Sequence, residues 1–415
     1  MKLKQKQLLA SFLLCVTAII LHKTKKKKHK RWVNRRWHVR PINKNREHQG
    51  EYNNLFHELK KSKDKRMFFE YSRMTFSHFD QLVQLTKPHL TKKSQRALAP
   101  QERLVIALRY LVTGNCISSI AFSFRVGQST VRNIIKEVCY VLSNVLSPLY
   151  LTVPTQEEWK LMVDGFWDRW QMPNCFGAID GKHIRIKCLP NSGSCYFNYK
   201  KYFSIVLLAI CDHLYRFQLV DIGAYGGNSD GGIFDASIIG QSIKNDQLNL
   251  PKDNAKLPGT DISLPGFFIG DAAFPLTRRM MKPYSTSNLT IAQRIFNYRH
   301  SRARRTIETA FGILANRWQI FHKSICMLPK TADKVTLASV CLHNYLMYEE
   351  QKDGAKAYSQ EINGTDTCWS PVMVEGEQAN TPAVTQRDIL CDYFVSPVGE
   401  VNFQYDYITR GTYGE

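Results

Sequence analysis

The sequence predicts an α/β protein in which a mixed sheet is flanked by helices and follows an all-helical domain. The apolar, β-branched run CFGAIDGKHIRIKC (175–188) is typical of a strand. Two more strand-like runs, YFSIVLLAICD (202–212) and RFQLVDIGAYGG (216–227), are separated by a hairpin-sized gap. A fourth apolar run, FFIGDAAFPL (267–276), precedes the helical pattern RRTIETAFGILANRW (304–318).

The order of these elements favours an RNase H-like domain, which we assign to residues 151–350. A short helix is expected in NSDGGIFDASIIG (228–240), between the hairpin and the fourth strand. The order is then strand, hairpin, helix, strand and helix. In that fold the first and fourth strands lie side by side, so Asp180 and Asp271 would share one end of the sheet.

Residues 47–150 read as a helical domain that contains a helix-turn-helix-like unit. In ISSIAFSFRVGQSTVRNIIKEVCYVL, Ala121 is the small residue that close helix contact needs, while Val126 and Val131 fall on inner positions. Arg125 departs from the pattern, because it occupies a turn position often held by glycine. A plain helical hairpin is the alternative. The predicted DNA-contacting residues open the second helix: Gln128, Ser129, Thr130 and Arg132.

The two ends of the chain differ from its body. The first 46 residues contain 15 lysines and arginines and no acid, so most of the net charge of +22 lies in this N-terminal tail. Its apolar run Leu8 to Leu21 would be about 21 Å long as a helix, shorter than a bilayer core of about 30 Å, which favours a docking or poorly ordered helix over membrane targeting. Lys23 to Arg31 resembles a nuclear-import signal or a DNA-contacting arm, with a solvated charge run as the alternative. Residues 351–415 are polar and predict an unordered tail.

The cysteines argue against a disulfide framework. Their number, 11, is odd, and no two are spaced as C-x-x-C. Reduced cysteines in an intracellular protein fit this pattern, and no spacing suggests zinc. With 44% hydrophobic residues, the chain is also not globally disordered.

Three acids stand out within the predicted α/β domain. Asp180 lies in an apolar strand, Asp271 follows a strand end, and Glu308 borders the apolar stripe of a helix. Carboxylates that converge in this way hold the paired divalent ions of phosphodiester chemistry, and oxygen ligands suit Mg²⁺, with Mn²⁺ as the alternative. Each acid taken alone is compatible with a cap, a turn or a salt bridge.

Several stretches resemble the PIF/Harbinger transposases and the nucleases derived from them, members of the DDE transposase group. They are AIDGKHIRIK, YFNYKKYFSIVLLAICDHLYRF, GAYGGNSDGGIFDAS, FFIGDAAFPL, FNYRHSRARRTIETAFGILANRW and ASVCLHNYL, within about residues 165–350. The resemblance implies that Asp180, Asp271 and Glu308 are catalytic acids and metal ligands. It also implies that Asp230 is a further ligand; a cap of the following helix is the alternative, and Asp235 reads as structural.

Cations surround the first and last acids. Those expected to contact DNA phosphates are Lys182, His183 and Arg185 after the first acid, and Arg302, Arg304 and Arg305, together with Arg299 and His300, before the last. The alternative is a solvated basic helix face in which Arg304 pairs with Glu308 at i,i+4. His343 and Asn344 are expected in a buried, hydrogen-bonded helix.

These observations predict a metal-dependent DNA nuclease or transposase. The alternative is a host-adopted, catalytically silent DNA-binding or chromatin protein that retains the fold. DNA is the expected partner, and the resemblance adds a Myb-like DNA-binding protein. A homo-oligomer is left open, and the expected location is the nucleus, with the cytoplasm as a second compartment.

Overall fold

The computed structural model describes residues 39–94, 96–188, 190, 192–285, 288–354 and 381–406, with isolated positions near the N-terminus. The basic run Lys23 to Arg31 lies outside the described residues, and Leu8 to Leu21 is described only at isolated positions. Within the described part of the chain, no helix is long and apolar enough to cross a membrane.

The helical region begins with short helices and ends with a long one. The helices are α1 (Pro41–Lys44), α2 (Arg46–Gln49), a π-helical turn (Tyr52–Phe56), α3 (His57–Ser62), α4 (Lys65–Ser72), α5 (Phe76–Leu90), α6 (Pro100–Thr113), α7 (Ile117–Ser123) and α8 (Gln128–Tyr150). Thr75 caps α5 by accepting a hydrogen bond from the His78 N–H. Phe56, Phe68 and Phe79 form an aromatic cluster, and the central residues of α6 are almost all buried.

The pair α7 and α8 has the predicted tight turn. Ala121, Val126 and Val131 are buried. Arg125 adopts a left-handed conformation, with φ of 51°, which explains why glycine is common at such a position. Its guanidinium donates to the carbonyl oxygens of Ile42 (3.0 Å) and Gln49 (3.3 Å). An arginine is therefore useful at this turn, because it fixes α1 and α2 against the unit.

The α/β region has the predicted mixed, RNase H-like sheet. Its elements are α9 (Gln156–Trp170), β1 (Cys175–Arg185), β2 (Ser204–Cys211), β3 (Phe217–Tyr225), α10 (Asp230–Ala236), α11 (Ile238–Lys244), β4 (Ala255–Lys256), β5 (Ser263–Leu264), β6 (Phe267–Ile269), β7 (Met280–Met281), α12 (Ile291–Arg317), a 3₁₀ turn (Gln319–His322), α13 (Pro329–Lys352) and α14 (Thr381–Val395). The strands of the main sheet lie in the order β3-β2-β1-β6-β7. Strand β1 is antiparallel to β2 and parallel to β6.

The two faces of the sheet are covered by different helices. Ala178 and Ile184 of β1 belong to the core shared with α12 and α13. Ile179 lies on the other face, in a second core with Trp159 of α9 and Ile233 of α10. Because side chains alternate along a strand, Asp180 projects toward the α12 side.

The helical region and the sheet region share one core. Helix α8 packs along α13. His343 and Asn344 are fully buried in α13, and the Asn344 amide donates to the carbonyl oxygens of Tyr150 (2.7 Å) and Phe217 (2.6 Å). His343 Nε2 lies 2.8 Å from the Tyr215 carbonyl oxygen. The prediction of a buried, hydrogen-bonded role for both residues is confirmed.

The prediction of an unordered C-terminal tail is wrong for residues 381–406. Helix α14 packs against α12. Fully buried Arg299 of α12 donates to the carbonyl oxygens of Gly399 (3.2 Å) and Gln171 and to Gln404 Oε1 (3.1 Å). Its guanidinium also lies 4.3 Å from the centre of the Phe394 ring. The polar composition of this segment did not predict its order, because the segment is held by hydrogen bonds from Arg299 of α12, which is distant in sequence.

Arg299→Met should destabilise the fold, because it removes the buried guanidinium that donates to Gly399, Gln171 and Gln404. We expect a loss of about 2–4 kcal/mol in the free energy of unfolding, measured with urea. The matched control is Arg305→Met on the same helix, where the side chain is exposed and the change should stay within about 0.5 kcal/mol. Equal effects of the two substitutions would contradict the anchoring role.

Candidate active site

Asp180 lies in the middle of β1, at the point where the strand leaves the apolar core. It is paired with Ala209 of β2, whose small side chain leaves room beside the carboxylate. The side chain is 21% exposed, and its Oδ1 accepts a 2.8 Å hydrogen bond from the Gly181 N–H. The acid is therefore open to solvent on one side and buried on the other.

Asp271 is brought beside Asp180 by the register of two parallel strands. Ala178 of β1 pairs with Ile269, the last residue of β6, and two residues further along the chain from each lie Asp180 and Asp271. Gly270 makes this approach possible, because a Cβ there would lie 2.8 Å from the Phe274 ring and 3.2 Å from the Ile179 side chain. Beyond the strand, Asp271 Oδ1 accepts a 2.9 Å hydrogen bond from the Ala273 N–H.

Glu308 comes from α12, which packs against β1. Thr290 starts this 27-residue helix with a capping box completed by Gln293. Ile307 and Phe311 are buried on either side of Glu308, whose own side chain is 41% exposed. The predicted position of the acid on the border of the apolar stripe is confirmed.

Arg304 joins two of the three acids. Its Nη1 lies 4.0 Å from Asp180 Oδ2, and its Nη2 forms an ion pair with Glu308 one turn along the helix. The arginine side chain is only 15% exposed. The i,i+4 pair considered from the sequence is therefore present, and it also reaches across to the sheet.

The charges of the other two acids act on Asp180. Burial raises the pKa of Asp180 to about 7, opposed by the Arg304 guanidinium and increased further by the negative charges of Asp271 and Glu308. The surroundings of Asp180 destabilise its charged form, and a bound cation would stabilise that form. Asp180 is therefore a candidate metal ligand.

The chemical type of the donor atoms suits a divalent metal ion. The Arg304 guanidinium lies between Asp180 and Glu308 and contacts both. All donors are carboxylate oxygens, which hard cations prefer. Among the described residues, no group of three or more His, Cys, Asp or Glu is close enough to hold an ion.

Asp230 begins α10, and its side chain lies outside the described part of the chain. Its alternative role as the helix cap is wrong, since Ser229 caps α10 by accepting from the Gly232 N–H at 3.3 Å.

The cations after Asp180 have separate environments. Lys182 Nζ lies 5.6 Å from the centre of the Phe311 ring, and burial lowers its pKa. His183 Nδ1 is 2.9 Å from Ser204 Oγ, and burial lowers its pKa to about 4, so the ring is neutral at neutral pH. Arg185 is exposed and lies over the Tyr202 ring at 4.3 Å. Only Lys182 and Arg185 can therefore offer charge to a phosphate.

The cations before Glu308 divide into structural and exposed residues. Arg299 and His300 are buried, and His300 Nε2 faces the Met281 carbonyl oxygen at 3.2 Å. Arg302 is half-buried and donates to the carbonyl oxygen of Trp170 (3.1 Å) and to Gln171 Oε1. The expectation of phosphate contact is wrong for Arg299 and His300, because both side chains are enclosed. Arg305 is exposed, and its role stays a prediction.

Two of the four α8 residues predicted to contact DNA line a basic cavity that the sequence did not reveal. Gln128, Ser129, Thr130 and Arg132 are all exposed. Ser129 and Thr130 line a cavity of about 610 Å³. The basic residues in its lining come from three separate stretches and include Arg40, Arg46, Lys92, Arg96, Arg103 and Arg125. A second cavity, of about 400 Å³, joins Arg132 and Lys136 of α8 to Lys187 after β1.

Comparison with known proteins agrees with this geometry. Residues 179–344 match the DDE superfamily endonuclease family. The chain is 27% identical over 289 residues to an Arabidopsis thaliana protein named Antagonist of Like Heterochromatin Protein 1, which covers 68% of this chain and 72% of the relative. It is 28% identical over 305 residues to the Arabidopsis protein ALP1-like (68% and 70% covered).

A human protein, HARBI1, which is named as a candidate nuclease, is 24% identical over 290 residues, with 68% of this chain and 77% of the relative covered. No solved structure matches the chain. DDE superfamily endonucleases use divalent metals, in agreement with the carboxylate donors described above. The resemblance expected from the sequence is confirmed as a similarity: residues 179–344 match the DDE superfamily endonuclease family, and 68% of the chain aligns with HARBI1 and with the Arabidopsis proteins.

Proposed function

We propose that this protein is a divalent-metal-dependent endonuclease that cuts DNA phosphodiester bonds, as a Harbinger-type transposase or a nuclease derived from one. Asp180, Asp271 and Glu308 hold the metal, Mg²⁺ in preference to Mn²⁺, and Asp230 is a further ligand. The observation that carries the proposal is the register of β1 and β6, which sets Asp271 beside Asp180 under the helix that bears Glu308. The bound metal supplies an activated water or 3′-hydroxyl and stabilises the leaving oxygen.

The residues around the acids prepare the site for a polyanion. Arg304 contacts both Asp180 and Glu308. A divalent cation held by the acids would supply the positive charge that Arg304 supplies here. Lys182 is on the same face of β1 as Asp180, which supports a role in balancing the charge of a phosphate. Neutral His183 donates or accepts a hydrogen bond rather than contributing charge.

DNA binding extends from the acids to α8. Arg132 and Lys136 share a cavity with Lys187, which lies just beyond the end of β1. Because α8 packs on α13 in one core, a duplex at Gln128, Ser129, Thr130 and Arg132 has a fixed position relative to the cutting site. This supports recognition and cleavage by one rigid body.

A second candidate is a catalytically silent DNA-binding or chromatin protein. Two observations favour it: Arg304 already satisfies Asp180 and Glu308, and one relative is named as an antagonist of a heterochromatin protein. In this alternative the acids are structural partners of Arg304. The basic cavities would then carry the whole function.

Location and partners follow from the same proposal. DNA as substrate and the basic run Lys23 to Arg31 support a nuclear protein, with the cytoplasm as a second compartment. A Myb-like DNA-binding protein and a second copy of this chain are proposed as partners.

Asp180→Asn should abolish metal-dependent nicking, because it keeps the shape of the side chain but removes a charged ligand. With Mg²⁺ or Mn²⁺, nicking of supercoiled plasmid should fall by at least about 100-fold, while DNA binding is retained. Asp235→Asn is the matched control, since Asp235 is exposed and pairs with Lys244 at 2.6 Å. Absence of nicking by the parent protein, with no effect of Asp180→Asn on transposition, would favour the silent alternative.

Arg304→Gln should strengthen metal binding in the absence of DNA, because it removes the cation that competes for the acids. We expect the Mn²⁺ dissociation constant, measured by electron paramagnetic resonance, to fall by roughly tenfold. Arg305→Gln changes the neighbouring, exposed arginine and should leave it unchanged. Unaltered Mn²⁺ affinity in Arg304→Gln would contradict the competition.

Arg132→Gln should weaken duplex binding and its dependence on salt. Loss of one phosphate contact lowers the slope of log K against log [salt] by about 1. Arg66→Gln is the control, since Arg66 is 89% exposed on α4 and already pairs with Glu70. A slope that is the same for both variants would remove α8 from the DNA-binding surface.

A further inference from the structure

The loop between β1 and β2 presents a short tip that packs against His183 of β1. Phe197 and Phe203 form an antiparallel bridge, and the Asn198 N–H donates to the Tyr202 carbonyl oxygen at 2.9 Å. The buried Asn198 side chain accepts from the Tyr202 N–H (3.1 Å) and donates to Ser204 Oγ (2.9 Å). Lys201 turns the chain with a φ of 62°. The three residues 199–201 are therefore held in place by contacts on both sides of the turn.

Tyr199 is the aromatic residue at this tip, and 72% of it is exposed. Its ring meets the edge of the His183 ring, with 5.5 Å between the centroids. His183 is in turn fixed by Ser204, which also holds Asn198. A single exposed aromatic residue needs no explanation by itself, but this one is oriented by a buried polar network.

Charge distinguishes this tip from other exposed aromatic positions. Lys200 Nζ lies 5.3 Å from the centre of the Tyr199 ring, and Lys201 is exposed next to it. His183, which the Tyr199 ring contacts, lies three residues after Asp180 on β1, and its side chain projects from the other face of the strand. The tip therefore lies roughly 10 Å along the strand from the candidate catalytic acid. An aromatic face framed by lysines is the combination that binds single-stranded nucleic acid.

We propose that Tyr199 stacks on an unpaired nucleobase next to the scissile phosphate, while Lys200 contacts the adjoining backbone. This rests on the proposed function, because it places DNA at the acids. The base must be unpaired, since an exposed ring can cover the face of a base only when that base has left its own stack. The tip then determines which DNA conformation is cut: a strand that is opened at the cutting point.

The test measures binding by the full-length protein in EDTA, so that no cutting interferes. The probes are a fluorescent oligothymidylate of about 20 nucleotides and an abasic oligomer of the same length and charge. Tyr199→Ala should weaken oligothymidylate binding by about five- to tenfold and leave binding of the abasic oligomer unchanged. Tyr199→Phe keeps the ring and should restore parental affinity.

The control is Tyr405→Ala, which removes a 42% exposed tyrosine whose hydroxyl lies 3.2 Å from an acid, Glu400. It should bind both probes as the parent does. Equal binding of oligothymidylate by Tyr199→Ala and the parent would overturn the stacking role and leave the nuclease proposal intact. An equal loss on both probes would also overturn it, by showing that Tyr199 acts through the fold. A parent protein with no affinity for either probe would count against DNA as the substrate, and so against both proposals.

Discussion

The close approach of β6 to β1 is the constraint on which the candidate site depends. Two parallel strands align their carboxyl ends, and Gly270 allows the chain after β6 to stay against Ile179 and Phe274. A side chain at this position would push Asp271 away from Asp180. The pairing of the two aspartates is thus a property of backbone packing. Neither acid is held there by a direct bond to the other.

Helix α12 shows how packing gives different roles to chemically identical residues. Within seven positions it carries Arg299, Arg302, Arg304 and Arg305. Arg299 anchors the C-terminal segment, Arg302 caps the end of α9, and Arg304 bridges two acids. Arg305 faces solvent. A helix turns by about 100° per residue, so neighbours in sequence meet different surfaces. This helix therefore joins the site to the rest of the fold.

The shared core of α8 and α13 gives the protein one frame. Tyr345 of α13 donates from its hydroxyl to the His78 carbonyl oxygen at 2.7 Å, and Tyr150 donates to Glu349 at 3.1 Å. These contacts tie the helical region to the helix that covers the sheet. The basic cavities at α8 and the loop tip at Tyr199 consequently have set positions relative to Asp180. Because these sites have fixed positions relative to one another, they suit a long substrate that contacts several of them at once, such as a nucleic acid.

The sequence by itself determined the elements and the candidate acids. Apolar periodicity identified the three long strands and α12, because burial on one or both faces leaves a regular pattern, and it placed Asp180, Asp271 and Glu308 on the correct elements. The tertiary structure alone decided what the cations do, why Arg125 stands at a turn, and that residues 381–406 are ordered. Those outcomes depend on contacts between residues as far apart as Arg299 and Gln404, and such contacts leave no local pattern. The Tyr199 tip was hidden for the same reason, since the role of a tyrosine between asparagine and lysine depends on the fold, which sets its ring against His183 of β1.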